Sequence, residues 1–375
     1  PPRILAGVYN RPCAPRSVDV PEEGRSDPMR GVVLLGERQV ELREFPDPAP
    51  GPDEVVLEMK ASGICGSDLR PYREARRDRE GGPRGPAQGA LISGHEPCGV
   101  IAAVGPHVSG WQPGDRVMMH HYAGCGRCKY CRVGYSQLCL VGHKTYGFTA
   151  HGGNADYMVA PASTMVRLPD ELTFAEGAAV ACGTGTAYMA LKRLDVSGRD
   201  TLAVYGQGPV GLSATMLGAA MGARVIAVDV SAERLRLARS RGAAETVDAT
   251  AQDPVRAILE LTHGEGADAT LDATGNPEAR VNAVRSARVF GRACLVGEGN
   301  TTTFEVSPQI IHKQLTIYGS WTFSTVGMEE CATFAVDRRV PLKDLITDTF
   351  ALDAAEEAFR LFDKGQTGKC LFLWD

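Results

Sequence analysis

Four cysteines lie close together in a spacing that suits a metal ion. Cys125, Cys128, Cys131 and Cys139 form the pattern C-x2-C-x2-C-x7-C within one short segment. Four thiolates so close in sequence can complete a tetrahedron around Zn²⁺ and leave no position open for a further ligand. The pattern therefore predicts a closed, structural zinc site. Disulfides, unligated thiols and an iron–sulfur cluster are alternatives that the spacing alone leaves open.

A second set of metal-binding side chains is dispersed along the chain. Cys65 precedes Gly66-Ser67-Asp68, His95 lies between Gly94 and Glu96, and Cys182 stands between Ala181 and Gly183. Taken singly, a cysteine in an apolar run is usually a buried core residue. Together, two thiolates and an imidazole with carboxylates nearby make the three-ligand pattern that leaves a fourth zinc position open.

A glycine-rich turn follows the apolar run Thr201–Tyr205 and precedes a helical pattern. The turn reads Gly206-Gln207-Gly208-Pro209-Val210-Gly211. Three glycines at this spacing permit a tight turn, close approach of the backbone to a pyrophosphate, and close packing of helix on strand. The N–H groups that begin the helix favour an anion. The segment predicts a dinucleotide site, and a glycine-rich connection without a ligand is the alternative.

Asp229 ends the next apolar run, close to the roughly 20-residue spacing expected for a ribose-binding acid. A carboxylate there hydrogen-bonds both ribose hydroxyls and repels a 2′-phosphate, so NAD is predicted in preference to NADP. Arg234 is placed to reach a 2′-phosphate instead. An ordinary exposed charge on a helix is the alternative for Arg234.

Composition excludes several classes of protein. Hydrophobic residues make up 43% of the 375 residues and charged residues 23%, as in ordinary globular proteins. The net charge of −5 is mild and the basic residues are scattered, so no nucleic-acid surface is predicted. No apolar run approaches the roughly 20 residues that span a bilayer, and the first residues contain no apolar signal segment. We therefore expect a cytoplasmic protein without a membrane or nucleic-acid partner.

The elements that must position these residues change in type near residue 175. Before it, short apolar runs alternate with proline and glycine turns, which is typical of a mostly β domain. After a helical segment at 176–194, five predicted strands alternate with helices at 210–221 and 232–241; the strands are Thr201–Tyr205, Arg224–Asp229, 269–273, 293–296 and Thr316–Gly319. This alternation predicts an α/β doubly wound parallel sheet. A helix at 354–363 and a strand at 370–374 end the chain.

The motifs, in this order, resemble those of zinc-containing medium-chain dehydrogenases, the superfamily of alcohol, sorbitol and threonine dehydrogenases. The resemblance runs from about Met29 to Asp375. It rests on Cys65-Gly66-Ser67-Asp68, Gly94-His95-Glu96, the four-cysteine segment, Cys182, the glycine turn and Asp229. It implies a Rossmann sheet together with a mostly β, GroES-like catalytic domain that carries the structural zinc lobe.

We accordingly divide the chain into four segments. Residues 1–28, rich in proline, arginine and glutamate, are predicted to be an N-terminal extension. Residues 29–180 and 321–375 would form the catalytic domain, and 181–320 the NAD-binding domain. Because ligands bind preferentially between domains, we expect the substrate cleft there.

The resemblance implies two zinc ions per chain, with the catalytic zinc held by Cys65, His95 and Cys182. Glu96 would sit beside this zinc. Asp68 would accept a hydrogen bond from the His95 ring and fix its tautomer. Ser67 would hydrogen-bond the substrate hydroxyl and begin a proton relay.

The resemblance also implies further cofactor contacts. Val296 and Gly297 would meet the nicotinamide amide through the backbone, and Lys369 would approach the pyrophosphate; a plain surface lysine is the alternative for Lys369. The expected reaction transfers a hydride between the nicotinamide and a carbinol carbon.

Three features depart from the family pattern or qualify it. Arg70 stands where many members have the relay histidine, and arginine cannot take up a proton at ordinary pH. Cys182 resembles the third ligand of alcohol dehydrogenases, whereas Gly66-Ser67-Asp68 looks more like polyol dehydrogenases. His120-His121-Tyr122 would make the pocket polar, or would be a solvated strand end.

The predicted function is therefore oxidation of a polar secondary alcohol or polyol with NAD. A simple alcohol dehydrogenase is the alternative, and a catalytically silent protein that binds zinc and nucleotide is another. Zinc-free reductases of the same superfamily lack the cysteine and histidine ligands that this chain has. The resemblance implies a homodimer or homotetramer built through the nucleotide domains, with residues 315–319 as an edge strand.

Overall fold

A computed structural model of the chain describes residues 28–75 and 90–374. The predicted extension, residues 1–28, lies outside the described residues except for Pro28. Among the described residues, every helix is too short or too polar to cross a bilayer.

The first part of the chain is built mainly of short strands. They are β1 (Met29–Gly36), β2 (Gln39–Phe45), β3 (Glu54–Ile64), β4 (Pro97–Val104), β5 (Arg116–Met119), β6 (Tyr122–Ala123), β7 (Lys144–Thr145), β8 (Tyr157–Pro161) and β9 (Met165–Arg167). One short helix, α1 (Leu69–Arg73), follows β3. β3 is the long central strand, pairing antiparallel with both β4 and β8. The mostly β domain predicted from the turn signals is confirmed.

Two helices lead into the second part of the chain. They are α2 (Phe174–Ala179) and α3 (Gly185–Arg193), joined by a π-type turn at Val180–Thr184. The helical segment predicted at 176–194 is therefore confirmed, with a π-type turn at its centre that the sequence did not predict. A π-turn inserts an extra residue into the helical path, which reorients the side chains within it. Cys182 lies in this turn.

Strands and helices then alternate through the second part. They are β10 (Thr201–Tyr205), α4 (Pro209–Ala220), β11 (Arg224–Asp229), α5 (Ala232–Ser240), β12 (Glu245–Asp248), α6 (Pro254–Leu261), β13 (Ala267–Asp272), α7 (Pro277–Ser286), β14 (Ala287–Leu295) and β15 (Thr316–Gly319). The strands form a parallel sheet in the order β12-β11-β10-β13-β14-β15. This order is that of a doubly wound Rossmann sheet, with the point of reversal beside β10. The predicted fold class is confirmed.

The last part of the chain returns to the first sheet. It contains α8 (Thr325–Asp337), β16 (Ile346–Phe350), α9 (Ala355–Asp363) and β17 (Lys369–Leu373). β17 pairs antiparallel with β3, with Cys370 opposite Ile64. The seven-stranded sheet thus runs β16-β17-β3-β4-β5-β9, with β8 on β3.

One continuous core connects the two sheets. Buried residues of α2, the π-turn and α3 pack both on the first sheet and on α4 and β10 of the second. The segment that carries Cys182 is therefore held between the sheets. It lies close to the carboxyl end of β3, which carries Cys65, and to the N-terminus of α4.

Candidate metal centres and cofactor site

Three elements bring Cys65, His95 and Cys182 together. Cys65 follows the end of β3, His95 lies in the loop before β4, and Cys182 lies in the π-turn. Each of the three side chains is at least nine-tenths buried. The Cys182 sulfur lies 3.9 Å from the Cys65 sulfur and 3.5 Å from Nε2 of His95.

These distances fit a tetrahedral zinc ion. Zn–S bonds near 2.3 Å and Zn–N bonds near 2.05 Å place two sulfurs roughly 3.8 Å apart, and a sulfur and a nitrogen roughly 3.5 Å apart. A carboxylate oxygen of Glu96 lies within 4.8 Å of the other three donor atoms. The residues present therefore suit a three-ligand zinc site with a carboxylate at its edge.

Asp68 positions two of the predicted ligands through hydrogen bonds. Its Oδ1 lies 3.0 Å from Nδ1 of His95, and its Oδ2 accepts the backbone N–H of Cys65 at 2.8 Å. A carboxylate acceptor at Nδ1 places the proton there and leaves Nε2 free to bind a metal. Ser67 Oγ lies 3.2 Å from that Nε2 atom, and Ser67 is exposed, so its hydroxyl stands between the ligand set and the outside.

Glu96 and Lys369 form an ion pair inside the protein. Both side chains are buried, and the lysine Nζ also donates to the backbone oxygen of Ile64. Burial raises the pKa of Glu96. Burial alone would lower the pKa of Lys369, but the neighbouring Glu96, Cys65 and Cys182 together outweigh burial, so the pKa of Lys369 is raised. The alternative of a surface lysine at 369 is wrong, because β17 carries the residue into the core.

Lys369 also faces the glycine turn. It lines a narrow cavity with Gly183 of the π-turn and with Pro209 and Ser213 of α4. Lys369 thus stands between the predicted zinc ligands and the N-terminus of α4, where the pyrophosphate is predicted.

Aromatic and imidazole rings cover the zinc ligands on one side. The His95 ring lies 5.0 Å from the rings of His121 and Phe148, measured between centroids. His120 and His121 are buried, so the alternative of a solvated strand end is wrong. Burial lowers the pKa of both imidazoles. The ring nitrogens of His120 lie 3.3 and 3.0 Å from the backbone oxygens of Tyr122 and Phe323, and one of the two nitrogens donates, whereas Nδ1 of His121 has no partner among the described residues.

Sequence reasoning missed three members of this ring cluster. Phe148, Trp321 and Phe323 lie far from the histidines in sequence and carry no motif. Trp321 stacks edge-on against Tyr122 at 5.8 Å, and Phe323 against His120 at 5.4 Å. The segment after β15 therefore supplies one wall of the site.

Arg70 takes no part in this arrangement. Its side chain is exposed and pairs with Glu74 one helical turn later, at 3.1 Å. A proton leaving Ser67 would find no acceptor at this position.

The four clustered cysteines form a second candidate metal centre. The sulfurs of Cys125, Cys128, Cys131 and Cys139 all lie within 4.8 Å of one another. Backbone N–H groups point at the sulfurs, as from Cys128 to Cys125 at 3.4 Å. Backbone hydrogen bonds, the largest from Cys131, lower the pKa of Cys128 to about 6. A Cβ on Gly124 would lie 2.6 Å from the Cys131 sulfur, so the backbone wraps tightly around the four sulfurs.

This geometry excludes the disulfide alternative for the described cysteines, which are all free. Burial, followed by the neighbouring thiols, raises the pKa of Cys131 to about 12, so this group stays a thiol unless a bound cation favours the thiolate. The four donors are all sulfur and close the coordination shell, which suits structural zinc.

The glycine turn has the shape that a pyrophosphate requires. Gly206 has φ +86°, and a Cβ on Gly211 would lie 1.6 Å from the Gly206 oxygen, so both positions demand glycine. A Cβ on Gly208 would meet only Arg234, at 3.9 Å. Space is therefore left above Gly208 at the start of α4, where free N–H groups point outward.

Asp229 fixes the backbone around this turn. Its Oδ2 accepts the N–H of Gln207, and its Oδ1 accepts those of Val230 and Ser231 at 2.8 and 2.9 Å. Arg234 lies over Gly208, and its Nε is buried without a hydrogen-bond partner among the described residues. Arg234 is thus not an ordinary exposed helix charge, since an unpaired guanidinium faces the predicted nucleotide site.

Val296 and Gly297 follow β14 and line a cleft with Ser320 and Trp321. Their two N–H groups both donate to the backbone oxygen of Asp272, at 3.0 Å. The predicted backbone contact to a nicotinamide would therefore come from a carbonyl.

Comparison with known proteins decides the family. The family model of the alcohol dehydrogenase GroES-like domain matches residues 51–170, and that of zinc-binding dehydrogenases matches 209–338. The chain belongs to the zinc-containing medium-chain dehydrogenases. It is 40% identical to an uncharacterised zinc-type alcohol dehydrogenase-like protein of Escherichia coli K12, over 91% of this chain and 97% of that protein.

Two further comparisons agree with this family. It is 30% identical to a sorbitol dehydrogenase of Bacillus subtilis, over 88% of this chain and 92% of the relative. An alcohol dehydrogenase from Thermus sp. ATN1 superposes with a TM-score of 0.82 at 29% identity, over 92% and 99% of the two chains. This dehydrogenase is therefore an oxidoreductase of the zinc alcohol dehydrogenase type.

Proposed function

We propose that this dehydrogenase oxidises a polar secondary alcohol or polyol, with NAD as hydride acceptor and one catalytic and one structural zinc per chain. The proposal is carried by the donor geometry of Cys65, His95 and Cys182, which matches zinc and leaves one position open beside Ser67. When bound, zinc supplies Lewis acidity that favours loss of the hydroxyl proton, and the nicotinamide accepts the hydride.

The protein's own residues orient the reactants and move the proton. Asp68 keeps Nε2 of His95 directed at the metal position. Ser67 Oγ takes the proton of the substrate hydroxyl and passes it outward. Because Arg70 is engaged with Glu74, the proton leaves Ser67 through the cofactor ribose or water.

The nucleotide site favours NAD over NADP. Gly206, Gly208, Pro209, Val210 and Gly211 form the pyrophosphate turn, and the Asp229 carboxylate stands at the end of the neighbouring strand. A carboxylate at this place attracts ribose hydroxyls and repels a 2′-phosphate. Arg234, lying over Gly208, would bind the pyrophosphate side of the cofactor.

The substrate pocket supports a polar alcohol. His121 lies against His95, and its Nδ1 atom is buried without a partner among the described residues. An imidazole beside the predicted zinc ligands offers a hydrogen-bonding group to a second hydroxyl of the substrate. The sorbitol dehydrogenase among the relatives is consistent with this substrate class.

The test is a panel of substrates with both cofactors. NADH or NADPH formation is measured with sorbitol, 2-butanol and hexanol, each with NAD and with NADP. We expect turnover to be highest for sorbitol with NAD. Turnover confined to hexanol would contradict the substrate class, and a preference for NADP would contradict the role given to Asp229.

The variant His121→Phe tests the pocket directly, because it keeps a flat ring and removes the polar atom. We expect kcat/KM for sorbitol to fall about tenfold, while that for 2-butanol changes less than about twofold. His143→Phe is the matched control, since His143 is exposed at the rim of the same ring cluster. Equal losses for both substrates in His121→Phe would argue against a hydroxyl contact.

A further inference from the structure

Two loops touch backbone to backbone at the carboxyl ends of β13 and β14. A Cβ on Gly297 would lie 2.0 Å from the Gly275 nitrogen, and a Cβ on Gly275 would lie 2.3 Å from the Glu298 oxygen. Both glycines are therefore required for this approach. The second of these loops, at residues 296–302, borders the cleft in which the nicotinamide is expected.

A charged side chain is buried beneath this contact. Arg280, on α7, is only 8% exposed although it carries a full charge. Its Nε lies 3.3 Å from Oδ2 of Asp272, a carboxylate that is completely buried. Its Nη1 donates to the Asn300 oxygen at 3.3 Å, and its Nη2 donates to the Gly297 oxygen.

These contacts close a ring around Gly297. The Gly297 N–H donates to the backbone oxygen of Asp272, and the Gly297 carbonyl accepts from Arg280, which is paired with the Asp272 carboxylate. The Val296 N–H also donates to Asp272. Of the backbone polar groups of Val296 and Gly297, the Val296 carbonyl has no hydrogen-bond partner within the part of the chain that is described.

We propose that Arg280 is a positioning residue for the nicotinamide half of the cofactor. By holding Gly297 and Asn300, it keeps the Val296 carbonyl directed into the cleft, where that oxygen accepts a hydrogen bond from the nicotinamide amide. This inference rests on the proposed function, since it takes the cleft to be the nicotinamide site. Arg280 does not touch the cofactor.

The two halves of the cofactor site lie on different strands. The adenosine half is expected at Asp229 on β11, on the far side of β10 from β13 and β14. A defect confined to the loops after β13 and β14 should therefore weaken contacts to the nicotinamide and spare those to adenosine. A general loss of folding would weaken both.

The test compares binding of NADH and 5′-AMP to the zinc-replete full-length enzyme. In Arg280→Met, the buried Asp272 carboxylate loses its charged partner and the Gly297 and Asn300 carbonyls lose the guanidinium donor, and we expect the Kd of NADH to rise about tenfold. The Kd of 5′-AMP should stay within about twofold, because its contacts are not disturbed. Arg285→Met is the control: Arg285 lies on the same helix but is exposed, so neither Kd should change.

Arg280→Lys keeps the charge but cannot reach Asp272, Gly297 and Asn300 together. We expect this variant to weaken binding of NADH but not of 5′-AMP, and to do so by less than Arg280→Met does. If Arg280→Met does not fold, Arg280→Lys decides the question. If the folded variants bound both ligands equally more weakly, or bound both as tightly as the unaltered enzyme does, the positioning role would be overturned. If the unaltered enzyme bound NADH no more tightly than 5′-AMP, the result would contradict the proposed function and therefore also the role given to Arg280.

Discussion

Asp68 shows how one carboxylate can position two proposed zinc ligands at once. One of its oxygens faces the His95 ring and the other accepts the N–H of Cys65, so both neighbours present a donor to it. The residue is 1% exposed, and water cannot replace either contact. The positions of Cys65 and His95 are therefore coupled through Asp68.

We expect Asp68→Asn to lower zinc affinity at this site. An amide has only one acceptor oxygen, so its NH₂ must face one of the two donors, and either His95 or Cys65 loses its orientation. Loss of such a partner costs about 10- to 100-fold in metal affinity. Competition with a chelator measures this, with zinc content followed in parallel.

The control for this substitution is Asp115→Asn. Asp115 also accepts a backbone N–H in a turn, from Gln112, but lies away from the zinc ligands. Unchanged chelator resistance in Asp68→Asn would contradict the coupling.

Residue types predicted the ligands, but not the contacts around them. The positions of Cys65, His95 and Cys182 in the sequence do not give the distances between their side chains, because those distances depend on how β3 and the π-turn pack. The pairing of Lys369 with Glu96 depends on the register of β17 on β3, which joins opposite ends of the chain. No local sequence signal reports such a pairing.

At the scale of elements, the four-cysteine lobe has almost no regular structure of its own. Its two turns of 3₁₀ helix, Cys131–Val133 and Ser136–Leu138, contain one buried residue, Gln137. The Gln137 amide donates to the Phe323 oxygen at 2.8 Å, and the same oxygen lies 3.0 Å from His120. The lobe is therefore tied through Gln137 to the segment that carries Phe323, and the proposed zinc would hold the rest of it together.

We expect Cys128→Ser to remove the structural zinc and leave the catalytic one. Metal analysis should then give about one zinc per chain instead of two, since each site has its own ligands. The melting temperature should fall, because binding of a structural metal contributes directly to folding.

Cys331→Ala serves as the comparison, because this thiol is buried in α8 and belongs to neither metal cluster. It should retain both zincs. Two zincs per chain in Cys128→Ser would show that the four cysteines do not form the site described.

Some helices and strands were predicted from the sequence more accurately than others. β10, β11 and β15 have the predicted bounds because each is a short apolar run between clear turn signals. Neither α6 nor α7 was predicted from the sequence. Asp253 and Asn276 each precede a proline and cap the helix that follows. A capping residue followed by proline is a helix-start signal that would have revealed both.

Across the whole molecule, Asp156 joins the two ends of the described chain. It is 3% exposed and accepts hydrogen bonds from Arg30 in β1 and from the Trp374 indole beyond β17. Burial alone raises the pKa of Asp156, but the hydrogen bonds from Arg30 outweigh it and hold the pKa below its usual range.

Because the pKa of Asp156 is lowered in the folded protein, the stabilisation that this residue gives to the folded state depends on pH. The stabilisation is complete above the unfolded-state pKa, near 4, and is lost as the pH falls through the lower folded-state value. We expect Asp156→Asn to cost about 2 kcal/mol in the free energy of unfolding at pH 7, since charge-assisted hydrogen bonds are lost. The difference between wild type and variant should shrink as the pH falls below 4.

Urea unfolding of both proteins between pH 7 and pH 3.5 measures this difference, and effects of acid on the zinc ligands cancel between them. Asp53→Asn is the control, because Asp53 makes only an exposed pair with His107 and should change little at any pH. A difference that stays constant down to pH 3.5 would contradict the role of the Asp156 charge.

The most direct test of the whole account is whether hydride transfer requires zinc at the open site. NADH formation from sorbitol is followed in the zinc-replete enzyme, after a chelator has removed the zinc that has only three protein ligands, and after zinc is restored. We predict activity that disappears when about one zinc per chain is lost, while the fold remains intact, and that returns on addition of zinc. Undiminished activity after that zinc is removed would contradict the assignment of Cys65, His95 and Cys182 as the catalytic metal site.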